Sequence, residues 1–177
     1  MKKQLCVLLA ALTLCTAGLT ACGGSDSSAA GGNTSAGAAG NTNEGKQLSI
    51  DAAAAADRFK NEIQWKDTLS ELEPEMIQKI TGVGPELYNA AKIYVSSGGG
   101  SAEEIAVFEG KDIDSAAKIE EAYKNRVEAQ KTAFENYVPE ELTKLGDPVL
   151  TTAKNYVFVC ISDDRSKAME IVSELIG

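Results

Sequence analysis

Apolar positions recur at helical spacing in three stretches of the chain. Ala52, Ala55, Ala56, Phe59 and Ile63 fall on one face of a helix over 51–63, and Asp51 is placed to cap it. Ala116, Ile119, Tyr123, Val127, Gln130, Phe134 and Tyr137 trace one stripe of a helix over 114–136, with Pro139 just past its end. Ala168, Ile171, Val172, Leu175 and Ile176 form the apolar face of a third helix over 164–176, opened by Ser162 or Asp163. Pro74 in the first turn and Gly82 beyond the last delimit a short helix over 74–80, and residues 140–145 read as one further helical turn.

Between the helices, short β-branched and aromatic runs are bounded by turn residues. Lys92–Ser96 and Glu104–Phe108 flank Gly98–Gly100, the pattern of a hairpin. Val149–Thr152 and Tyr156–Ile161 flank Ala153–Asn155, a second hairpin, with Pro148 at its entry where a missing N–H costs little. Hairpins impose antiparallel pairing, and amphipathic helices need a sheet face to cover. The order therefore predicts an α+β fold. It is a two-layer sandwich of about four antiparallel strands, covered mainly on one side by three main helices.

The first 46 residues follow another logic. Lys2 and Lys3 precede an apolar run over 5–19, shorter than the roughly 18 to 20 residues a spanning helix needs, which is the pattern of a secretory signal. Leu19-Thr20-Ala21-Cys22 resembles the bacterial lipobox, in which small residues admit a membrane peptidase and the cysteine thiol takes a thioether-linked diacylglycerol. That resemblance implies a signal peptide over 1–21 and lipidation at Cys22. It also implies a protein held at the extracytoplasmic face of a bacterial cell membrane by acyl chains such as palmitate. Residues 23–46 hold 7 Gly, 5 Ala and 4 Ser and no large apolar side chain, so they read as a flexible tether. A single domain over 47–177 remains.

Composition narrows the chemistry. The chain has no His, which removes imidazole bases, His-activated nucleophiles and His metal ligands. Its formal charge of −9 opposes nucleic-acid binding. Of four cysteines, Cys6 and Cys15 leave with the signal and Cys22 carries lipid. Only Cys160 stays in the domain, inside an apolar strand, so no disulfide forms there and the thiol reads as buried.

The runs Ala102-Glu-Glu-Ile-Ala-Val-Phe-Glu-Gly-Lys-Asp112 and Phe134-Glu-Asn-Tyr-Val-Pro139 are the most distinctive. With Arg126 and Gln130 between them and Asn155-Tyr-Val-Phe-Val159 beyond, the stretch from about 60 to 176 resembles the bacterial lipoprotein family called domain of unknown function 4358. The resemblance implies an address and a fold and supplies no catalytic signature.

Candidate chemistry is correspondingly sparse. Glu104 adjoins an apolar run; facing the helices it needs a cation, and Arg126 or Lys111 is the natural partner, as a structural ion pair or a ligand contact. Glu103, Glu104, Glu109 and Asp112 could serve a cell-wall hydrolase or transferase only if two of them converge at about 5 to 10 Å. No calcium-loop spacing occurs, and neither a metal nor a cofactor is expected. Tyr88, Tyr94, Tyr123, Tyr137 and Tyr156 read as core or core-edge residues. A nucleophile at Ser96, Ser97 or Ser101 would need a lysine base that no nearby motif provides. The leading expectation is a non-enzymatic lipoprotein whose domain binds a protein, peptide or cell-wall component. A carboxylate hydrolase or an accessory solute-binding lipoprotein is the alternative.

Overall fold

Ile105–Phe108 and Tyr156–Ile161 are apolar at every position, so the strands they form must bury both faces. In the computed structural model, which describes residues 48–177, the helices are α1 (Ala52–Glu62), α2 (Pro74–Thr81), α3 (Ile113–Glu135), α4 (Leu142–Gly146) and α5 (Arg165–Ile176). The strands are β1 (Leu69–Glu71), β2 (Tyr88–Ser96), β3 (Glu104–Gly110), β4 (Val149–Ala153) and β5 (Tyr156–Ile161). Tight 3-10 turns at Pro85–Leu87 and Pro139–Glu141 lead into β2 and α4. The sheet is antiparallel throughout, in the order β1-β2-β3-β5-β4. The predicted signal peptide, Cys22 and the tether lie outside the described residues.

The α+β class and both hairpins are present, but two expectations need correction. The sheet has five strands rather than four, because Leu69–Glu71 adds an edge strand too short to show a periodicity. Helices also cover both faces, which makes three layers rather than two. Phe59 of α1 and Ile171 of α5 pack with Ile105, Val107, Phe158 and Cys160 on one face. Ile119 and Tyr123 of α3 pack with Ala106, Phe108, Val157 and Val159 on the other, where Ile77 of α2 joins them. The alternation within β3 and β5 feeds both cores, and each fully buried Ile or Phe contributes about 2 kcal/mol of transfer free energy.

Local chemistry sets the ends of the elements. Asp51 accepts the Ala53 and Ala54 amides at the head of α1, and Asp112 accepts Ser115 N at 2.6 Å at the head of α3. Asp164, rather than Ser162 or Asp163, caps α5 by accepting Lys167 N. The α3 helix stops at Glu135, so Tyr137 leaves the stripe and is 71% exposed, against its expected place at the core. At the other end of β3, a Cβ on Gly110 would lie 3.0 Å from Ala116 N and 3.1 Å from Asn155 O. Only glycine lets β3, α3 and the β4–β5 turn meet there. Among the described residues no helix is long and apolar enough to cross a membrane.

Candidate functional site

Glu104 opens β3 and Glu103 immediately precedes it, and successive positions of extended chain point to opposite faces. Both carboxylates are nonetheless 1% exposed, so each face must supply its own counter-charge. On the α3 side, Arg126 Nε donates to both oxygens of Glu104 at 3.0 Å, and one Nη donates to Oε2 at 2.6 Å. The other Nη reaches Ile80 O at 2.6 Å, at the C-terminal end of α2, where a cation also meets the negative end of the helix dipole. Burial works against the Arg126 charge, yet Glu104 more than offsets it and leaves the guanidinium above its ordinary value. Burial, with the Glu104 charge added, pushes the neighbouring Tyr123 phenol well up.

On the other face Glu103 accepts the backbone amides of Lys66 and Asp67 at 3.0–3.1 Å, in the loop that follows α1. Lys144 of α4 donates to Glu103 Oε1 at 3.3 Å and to Glu141 Oε2 at 2.9 Å, with its side chain 1% exposed. Glu141 also accepts Ala102 N at 2.8 Å and Ser101 Oγ at 3.0 Å. Burial pushes the Glu141 carboxyl up, but the Ala102 amide, Lys144 and Ser101 outweigh it and hold it below its ordinary value.

This second cluster was not legible in the sequence. Ser101 and Lys144 lie 43 residues apart, and the fold brings Lys144 Nζ to 3.3 Å from Ser101 Oγ. A serine beside a lysine is the arrangement of a nucleophile with its base. Here, however, the Ser101 proton is committed to Glu141, and Lys144 is a donor to two carboxylates. The only sequence signal was Glu141 and Lys144 at i, i+3 among apolar neighbours, in a segment read merely as a helical turn.

The remaining predicted residues scatter. Lys111 is exposed and joins Leu87 through its backbone amide alone, so of the two cations named for Glu104 it is Arg126 that reaches it. Asp112 is spent on its cap, and Glu109 sits half-buried at the far end of β3. Glu103, Glu104, Glu109 and Asp112 therefore share no cleft, the condition a carboxylate hydrolase built on them required. Tyr94, Tyr123 and Tyr156 are buried, and Tyr88 is half-buried. Cys160 is 1% exposed, and burial pushes its thiol up to about 12. Among the described residues no group of three or more Cys, Asp or Glu could hold a metal ion.

One open groove of about 530 Å³ runs between α2 and α3. Thr81, Gly82, Ala122, Ala129 and Ala133 line it, with Arg126 at its side. Its small side chains allow close approach, and its single charge is already paired with Glu104.

A family model described as Domain of unknown function (DUF4358) matches residues 61–162. The match spans the sheet, α2, α3 and α4. It leaves out α5, which the resemblance over about 60–176 had included. No curated protein and no solved structure matches the chain.

Proposed function

The chain belongs to the DUF4358 family, and from that premise we propose that it is an extracytoplasmic lipoprotein anchored through Cys22, whose domain is a non-catalytic binding module. One observation carries the binding role. The groups best suited to acid–base or nucleophilic chemistry, Glu103, Glu104, Glu141, Lys144 and Ser101, are consumed in two buried ionic clusters. Such clusters hold a scaffold together: Ser101 and Glu141 do line an open cavity of about 470 Å³, but there Ser101 donates to Glu141, and Glu141 is already held by Lys144 and the Ala102 amide. The lipobox-like run Leu19–Cys22 and the Gly- and Ser-rich tether support the address.

Two measurements test the proposal in cells that express the full chain. Wild-type protein should partition with membranes and carry the mass of a diacylglyceryl group at Cys22, and Cys22→Ser should lose both. A soluble, unmodified wild-type protein would end the anchor reading. Cross-linking on intact cells should capture a ligand or partner above a soluble control, and its absence would end the binding reading. Serine- or carboxylate-directed turnover of wall material that Glu141→Gln abolishes would establish the hydrolase instead.

A further inference from the structure

The pairing of β1 with β2 stops early. Leu69, Ser70 and Glu71 lie opposite Ser96, Val95 and Tyr94, and the last link is Leu72 N to Ile93 O at 2.9 Å. The chain then turns away at Pro74 into α2, so Tyr88–Lys92 forms an edge about five residues long. That Ile93 bond fixes the parity of the strand. The peptide groups of Ile93 and Ala91 point outward, whereas those of Lys92 and Tyr94 point to β3. Among the described residues no backbone hydrogen bond reaches the outer side of Ala91; the register shifts between Tyr88 and Ala90, so the regular alternation runs back from Ile93 only as far as Ala90. Between Tyr88 and Lys92 the side chains are small, with Asn89 exposed and Ala90 and Ala91 half-buried.

Charge identifies what would fit. Glu71 lies along the edge, and exposed Glu73 and Glu75 follow it as the chain leaves. Glu86 stands exposed just before β2. The one cation of the strand, Lys92, is taken up by Asp57 and Glu71 at 3.3 Å each. Carboxylates therefore bracket an unpaired edge at both ends. We propose that this β2 edge takes an extended peptide segment bearing lysine or arginine as an added strand, with Ala91 supplying the backbone pairing and Glu73 and Glu86 the charge selection. The inference rests on the binding role proposed above and names its partner class.

The test uses the purified full chain and a ten-residue peptide alternating lysine with valine, against a glutamate–valine counterpart. The basic peptide should bind, slow amide exchange at Ala91, and weaken at least tenfold between 20 and 300 mM salt, while the acidic peptide should not bind. Ala91→Pro removes the outward N–H on an edge where proline is tolerated and should abolish binding. The double variant Glu73→Lys/Glu86→Lys leaves the strand intact and should weaken binding at least fivefold. Equal binding of both peptides, or unchanged binding by a folded Ala91→Pro or by the double variant, would overturn the proposal. A cellular partner that cross-links equally to wild type and Ala91→Pro would leave the binding role standing and sink the edge as its site.

Discussion

Glu104 is a residue whose neighbours decide its worth. In the sequence it is one acid in an acidic stretch; in the fold its carboxylate is held by three donor contacts from one guanidinium. Removing one partner of a buried pair costs more than the pair contributes, because the other charge is left without compensation. Glu104→Gln should therefore lower stability by about 3 kcal/mol, read as a shifted urea midpoint, and an unchanged midpoint would remove the structural role. The same reasoning gives a pH dependence. Glu141 and Asp67 are both held below their ordinary values of 4.5 and 3.8. For Asp67 the Ser96 hydroxyl is the main cause, followed by the backbone amides of Gly98 and Thr68. A depressed carboxyl lets the unfolded chain take up its proton first. The stability it contributes is complete above about pH 5 and is lost as pH falls through the lower folded value. Urea midpoints should thus hold from pH 7 to 5 and drop toward pH 3. Glu141→Gln should start lower at pH 7 and the gap to the parent should narrow as pH falls below about 5; a constant gap would exclude Glu141 as a source of the acid limb.

At the level of elements, periodicity told most where an element faces a single layer. The α1 and α3 stripes and both hairpins sit within a few residues of where the apolar pattern puts them. The pattern misled where an element meets two layers or almost none. Unbroken apolar runs in β3 and β5 signal strands, and because a strand apolar on both faces needs cover on both sides, they also account for the third layer. The three residues of β1 hold register through backbone bonds to β2 and carry too little alternation to read. Tyr137 continued the α3 stripe on paper, yet the helix ends two residues earlier. Half of the candidate site was legible for a related reason. An acid at the edge of an apolar run demands a cation, and Arg126 lies on the facing helix. The demand of Glu103 was equally present, but its answer comes from Lys144, on a five-residue helix whose position depends on how α3 returns to β4.

For the whole molecule, the three layers make a prediction that two would not. One core lies between the sheet and α1 with α5, the other between the sheet and α2 with α3, and the two share only strands. In β3, Ile105 and Val107 serve the first core while Ala106 and Phe108 serve the second; Val157 and Phe158 divide likewise in β5. A lesion in one layer therefore loosens the strands that the other layer packs on, and the domain should unfold as one unit. The single tryptophan makes this measurable, because Trp65 packs against the α1–α5 core and reports on that layer alone. Ile119→Ala, fully buried in the α3 layer, should cost about 3 kcal/mol through lost transfer energy and the cavity left behind. If the layers are coupled, Trp65 fluorescence and far-ultraviolet circular dichroism should shift to the same lower urea midpoint with an unchanged slope. Phe59→Ala, on the Trp65 side, should behave in the same way. A Trp65 transition that stays at the wild-type midpoint in Ile119→Ala while the helical signal falls early would show that the shared strands do not bind the two cores into one cooperative fold.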